Sequence, residues 1–143
     1  MSKSNSLETS LLALIFNATP IANIADDASS GPLTQLWVSL HTADPAEGGN
    51  QASNESAYTN YARVATGRTS TSWSVSGNTA SNTTAITFAE CGTTGSTVTY
   101  FGIGSTSSGN GVLFYSGLLT AQLAISSGIT PSFAAAALTV TED

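Results

Sequence analysis

The sequence predicts an all-β domain, a jelly-roll-like antiparallel β-sandwich of about eight strands with one short N-terminal helix. Three observations carry that prediction. Apolar residues recur at helical spacing only near the N-terminus, and after Pro32 the period changes to two. Short alternating runs then follow one another, separated by Gly, Asn and Ser clusters that read as turns. No internal repeat at a fixed period is present, which argues against a propeller or a solenoid.

The helix comes first. Asn5 with Glu8 has the form of a capping box, although Ser6 could cap instead. Leu7, Leu11, Leu14, Ile15 and Ala18 then share one face, and Asn17 to Pro20 ends the run. A single helix of about three turns is not stable alone, so it must lie on the sheet or on a neighbouring subunit. Residues 1–20 therefore read as an arm, and residues 33–143 as one β-sandwich domain. Between them, Asp26, Asp27, Ser29, Ser30 and Gly31 mark a loop.

In the first strand Leu36, Val38 and Leu40 alternate with Trp37, Ser39 and His41, the pattern of a half-buried strand. A polar loop runs from Thr42 to Asn60 through Asp44-Pro45 and Gly48-Gly49. Further strands are expected at Tyr61–Thr66, Ser72–Ser76, Ala85–Ala89, Thr97–Ile103, Val112–Ser116, Leu118–Ile125 and Leu138–Thr141. The strongest hairpin signal is Asn110-Gly111, because that pair accepts the positive φ angles of a tight turn. It predicts pairing of Tyr100–Ile103 with Val112–Tyr115.

Charge is scarce. Lys3, Arg63 and Arg68 face nine carboxylates, for a net charge of −6 over 143 residues, where an ordinary domain is about a quarter charged. Three cations cannot neutralise a row of phosphates, so no nucleic-acid partner is expected, and an anionic membrane surface is excluded likewise. With so few cations, at least one arginine should hold a fixed acidic partner. Cys91 cannot form an internal disulfide and reads as a small buried hydrophobe. The apolar run Leu11–Phe16 is too short for a membrane span and lacks the basic flank of a secretory signal. The expectation is a protein made in a cytoplasm and, if it ends outside the cell, released by lysis or on a particle.

No catalytic constellation stands out. His41 is the one histidine, on the polar side of its strand, without a Gly-x-Ser-x-Gly elbow. The carboxylates Asp44, Glu47, Glu55 and Glu90 lack a scaffold for paired acid–base work. Calcium could draw on Asp26, Asp27, Asp44, Glu47 and Glu55, but no EF-hand spacing occurs, so neither metal nor cofactor is expected. Gly102-Ile103-Gly104 is no phosphate cradle, since no helix follows it, and its glycines relieve crowding at a bulge or bend. The expected sites are contact surfaces: the helix (Leu7, Leu11, Leu14, Ile15), Asp44 in the polar loop, the tail Thr141–Asp143, and the aromatics Trp37, Tyr58, Tyr61 and Trp73. Exposed rings of that kind could also stack on sugars.

Several blocks carry a family likeness: Leu36-Trp37-Val38-Ser39-Leu40-His41-Thr42-Ala43-Asp44-Pro45, Tyr58-Thr59-Asn60-Tyr61-Ala62-Arg63-Val64, Phe101-Gly102-Ile103-Gly104, and Leu113-Phe114-Tyr115-Ser116-Gly117. From Leu36 to the C-terminus the chain resembles small tailed-bacteriophage virion proteins, tail-fibre-like or simply structural. It is also similar in size and pattern to jelly-roll cement proteins of tailed-phage capsids. The resemblance implies a non-enzymatic homo-oligomer, dimer or trimer. On the cement reading it decorates the capsid exterior across junctions of the major capsid protein. On the alternative it is a fibre domain that recognises host glycans.

Overall fold

The computed structural model describes residues 4–21, 25 and 32–142. The expected loop residues Asp26, Asp27, Ser29, Ser30 and Gly31 lie outside the described residues, as do Lys3 and the tail residue Asp143. One helix, α1 (Asn5–Asn17), precedes nine strands among the described residues: β1 (Gln35–His41), β2 (Val64–Gly67), β3 (Trp73–Ser76), β4 (Thr79–Asn82), β5 (Ile86–Thr87), β6 (Ser96–Gly104), β7 (Leu113–Ile125), β8 (Ser132–Phe133) and β9 (Thr139–Thr141). They form three sheets, ordered β2-β1-β6-β7, β3-β4-β9 and β5-β8. The expected all-β class with one N-terminal helix is borne out, and the antiparallel sheets are consistent with a sandwich.

By contacts the chain divides into two compact units. The first holds α1 and the sheet β3-β4-β9. Ser4, one residue earlier than expected, caps the helix, its Oγ accepting from Leu7 N at 3.3 Å. Ala18, with φ of 53°, closes the other end in the left-handed region. The buried stripe is Glu8, Leu12 and Phe16 rather than Leu7, Leu11, Leu14 and Ile15. Both stripes have i, i+4 spacing, and the size of Phe16 decides between them: its ring meets Trp73 with centroids 4.6 Å apart, and both rings are buried. Arg68 secures the helix C-terminus, its guanidinium donating to Ile15 O at 2.6 Å, to Leu33 O at 2.5 Å and to Leu14 O. Those carbonyls belong to the last turn of α1 and the strand approach, where a cation complements the helix dipole. Strand β4 has no apolar alternation in Thr79-Ala80-Ser81-Asn82. It forms because Gly77, at φ of 59°, turns the chain and Asn82 is tied in at both ends of its amide.

The second unit is built on β1, β6 and β7. Register is Val38↔Ile103 and Leu40↔Phe101, then Ile103↔Tyr115 and Phe101↔Gly117, so Val38, Leu40 and Ile103 share a buried face. A β6–β7 hairpin is present, but Tyr100–Ile103 pair with Tyr115–Leu118, three residues beyond the expected Val112–Tyr115. The positive φ falls on Gly109, at 72°, rather than on Asn110. The two runs expected either side of Gly117 are one strand. Gly117 continues it because the Phe101 ring lies where a side chain would stand. Cys91 is buried as expected, its Sγ 3.4 Å from Thr94 O.

Candidate functional site

The second face of β1 departs from the sequence reading. Ser39 and His41 are as buried as Leu36, Val38 and Leu40, because the polar loop folds back over them. Thr42 N donates to Asn54 O and Ser56 N to Leu40 O, both at 2.8 Å, so the loop returns along the end of β1. Room for it comes from β6: a Cβ on Gly102 would lie 2.5 Å from His41 Nε2, and one on Gly104 would collide with Gln51 and with Val112 O. The glycines read as crowding relief thus make space for His41 and Gln51. Gln51 fixes the loop, its Oε1 accepting from Thr106 N at 3.0 Å and its Nε2 donating to Trp37 O at 3.3 Å.

Two polar clusters lie beneath this loop. His41 Nδ1 lies 2.8 Å from Ser53 O, a group that only accepts, so Nδ1 carries the proton. Nε2, 2.8 Å from Ser39 Oγ, then accepts from the hydroxyl. Burial holds the imidazole pKa below its ordinary value, against the raising effects of the Ser53 hydrogen bond and the Glu55 charge. This has the form of a nucleophile–base pair, but both residues are sealed from solvent and no substrate can reach Ser39 Oγ. The pair orders the loop.

The second cluster gives the fixed partner expected for an arginine. Arg63 donates to both oxygens of Glu55 at 2.7 Å, to Gly109 O at 2.7 Å, and to Thr106 O at 3.1 Å. Tyr61 completes it, its hydroxyl donating to Glu55 Oε1 at 2.9 Å and accepting from Leu40 N at 3.0 Å. Burial raises the Tyr61 pKa, opposed by the Leu40 hydrogen bond.

The expected contact residues separate into two groups. Trp73 and Tyr58 are buried, at 0% and 2% exposure, and this corrects their reading as surface aromatics. Their size suits the core: Trp73 lies on Phe16, and Tyr58 donates from its hydroxyl to Ala89 O at 2.8 Å while its ring meets Tyr61 edge-on. Tyr61 and Trp37 are half-buried. Leu7 is exposed, while Leu11, Leu14 and Ile15 are half-buried, so the face expected to seek a partner stays uncovered in part. Asp44 is exposed, but its carboxylate accepts from Ala46 N at 2.8 Å and thereby sets the turn after Pro45.

The surface that sequence reasoning missed is β7. Val112 and Leu118 are 61% and 67% exposed, and Phe114 and Leu123 are exposed as well. Beside them an open groove of about 570 Å³ runs between Asp44–Gly49 and Leu113–Leu118, with Tyr100 also lining it. The alternation of Phe114, Ser116 and Leu118 was legible, but periodicity does not say which face of a strand its own chain leaves bare. Among the described residues no three metal-ligating side chains converge. The arrangement leaves an apolar strip and an open groove at the surface of β7, while the His41–Ser39 pair is buried.

The family described as podophage GP4 fiber I protein gp80 matches residues 2–141. No curated protein matches the chain.

Proposed function

The chain belongs to the podophage GP4 fiber I protein gp80 family, and on that footing we propose that this phage virion structural protein works without catalysis, as a self-associating fibre subunit. The observation that carries the reading is the uncharged apolar strip Val112, Phe114 and Leu118, left bare on a chain whose described cations are both engaged internally. Burying such a strip against other subunits gains hydrophobic free energy, with the carboxylates of Asp44 and Glu47 at the rim of the groove beside it. Glycan recognition by the fibre would fall to rings other than the buried Trp73 and Tyr58.

A second reading, capsid cement, is favoured by a separate observation. Each compact unit presents an apolar patch of its own, Leu7 with Leu11 in one and the β7 strip in the other. A protein that bridges junctions of the major capsid protein on the capsid exterior needs two contact patches. Binding the assembled shell and not its free subunits would then stabilise the head by mass action, multiplied over many copies.

The test is gold-labelled antibody on intact virions together with co-sedimentation on heads that lack the protein. Label on fibres and no binding to heads is the expected result. Saturable head binding at a fixed ratio to the major capsid protein would replace the fibre reading with the cement one. Absence from purified particles would defeat both.

A further inference from the structure

Asn110-Gly111, the strongest turn signal in the sequence, is also its one Asn-Gly pair. Asparagine is thermally labile, and the route is intramolecular: the next backbone nitrogen attacks the side-chain carbonyl carbon. Glycine in the next position removes the Cβ that would crowd that approach. Asn110 is exposed, and its carboxamide has no hydrogen-bond partner among the described residues. Asn54, Asn78 and Asn82 differ on both counts. Their amides donate to Asp44 O, Glu142 O and Thr84 O respectively, and each precedes a residue with a side chain.

The fold itself demands the glycine, since a Cβ at Gly111 would collide with Thr106 Oγ1 and Gln51 Oε1. The labile pair also stands between two latches. Gly109 O accepts from Arg63 Nη2 at 2.7 Å, and Gly111 O accepts from Gln51 N at 3.0 Å. Gln51 lies in the polar loop, and Arg63 grips Glu55 of the same loop. The Gly111 N–H donates to Gly109 O at 2.9 Å across a single residue, the contact of a γ-turn. Gly111 belongs to no strand, so no ladder restrains it, and exposed turns open at the lowest free energies of a fold. Opening frees the nitrogen.

We propose that Asn110 is a modification site, converting spontaneously to isoaspartate and so unlatching the polar loop from the turn between β6 and β7. Gly111 N loses its proton to a solvent base and forms a bond to Asn110 Cγ. The bond from Cγ to Nδ2 breaks, the departing nitrogen takes up a proton and leaves as ammonia, and a five-membered succinimide remains. Water then opens the ring at either carbonyl. Opening at Cγ restores the ordinary main chain as aspartate. Opening at the main-chain carbonyl leaves Gly111 joined through Cγ, which is isoaspartate. That product inserts one carbon into the main chain between Gly109 and Gly111. Their carbonyls then no longer keep the spacing that meets Arg63 and Gln51 together. In a particle outside the cell no synthesis replaces the chain, so converted turns accumulate with age. The inference concerns the chemistry of the turn and holds under the fibre and cement readings alike.

The experiment holds the full chain in mildly alkaline and in mildly acidic buffer and follows isoaspartate at each asparagine by peptide mass mapping, with ammonia release as a second readout. Conversion at Asn110 should run several-fold faster than at Asn54, Asn78 or Asn82. It should quicken in the alkaline buffer, because the attacking nitrogen must lose its proton, and vanish from this position in Asn110→Ser. Anion exchange separates the converted chain by its added negative charge. The isoaspartyl fraction should have a lower urea midpoint than freshly made Asn110→Asp, which carries the same charge on an unaltered main chain. No conversion at Asn110 while the urea-unfolded chain converts readily would show that the fold guards the pair, and would overturn the site. Equal rates at all four asparagines would do the same. An isoaspartyl chain as stable as Asn110→Asp would overturn the unlatching.

Discussion

Arg63 grips Glu55 through two parallel hydrogen bonds, Nε to Oε1 and Nη2 to Oε2, each 2.7 Å long. The same guanidinium reaches Thr106 and Gly109, so one cation ties the polar loop to the β6–β7 turn. A chain with three cations spends one of them here because a planar five-donor fork satisfies two carboxylate oxygens and several backbone carbonyls at once.

Removing one partner should therefore be severe. Arg63→Ala leaves Glu55 and two carbonyls without their donor and should cost about 3–5 kcal/mol, read as a lower urea midpoint at unchanged slope. Glu55→Gln keeps a hydrogen-bonding oxygen and should cost less, about 1–3 kcal/mol. An Arg63→Ala effect within about 0.5 kcal/mol would place the pair among inconsequential surface contacts.

Stability should also fall in mild acid through His41. Burial holds its folded pKa below the ordinary value, while in the unfolded chain it titrates near about 6.5. Between those two values the unfolded state binds more protons. The contribution is thus complete above about pH 6.5 and is lost as pH drops below it, with a slope of at most about 1.4 kcal/mol per pH unit. Urea titrations at a series of pH values should show this slope in the parent and not in His41→Gln. Equal slopes would assign the acid sensitivity to the carboxylates instead.

How much of this was legible follows from where period and packing agree. The β1 alternation and the existence of the β6–β7 hairpin could be read directly, because Leu36, Val38 and Leu40 and the glycine-rich turn obey local rules. The hairpin register could not: it lies three residues from the expected one, with an irregularity between Ile103 and Gly104. Ser39 and His41 read as solvent-facing, since nothing local says that the loop from Thr42 to Asn60 folds back over them. That return depends on Gly102 and Gly104, 60 residues away along β6 in the case of Gly102 from Thr42, leaving space for His41 and Gln51. The helix offered two apolar stripes, and only Trp73 in β3 selects Leu12 and Phe16. The bare strip on β7 is a property of sheet order, which a strand's own sequence does not encode.

The glycine argument makes a sharp comparison. Gly104→Ala should destabilise by about 1–3 kcal/mol, since the added methyl meets Gln51 and the Val112 carbonyl. Gly48→Ala has open space and no positive φ, and should be neutral or slightly stabilising. Thermal melts of the two variants check this. Equal melting temperatures would mean that the loop yields at Gln51 without loss.

Trp73 separates stability from recognition. Its ring is sealed against Phe16, so Trp73→Ala should cost about 3–5 kcal/mol by opening a cavity. Any loss of glycan or particle binding in that variant should then track its unfolded fraction and recover on cooling. Phe16→Ala should behave alike, because the two rings share one contact, and the double variant should cost less than the sum. Deleting residues 1–20 removes Leu12 and Phe16 together, so it should disrupt the unit built on β3, β4 and β9 and not merely free an arm. Substituting Leu7→Ser, at an exposed position, is the cleaner probe of the helix as a contact surface: the melting temperature should hold within a degree or two for this size of effect. A Trp73→Ala protein that stays fully folded yet loses binding would return that ring to the surface, against the packing seen here.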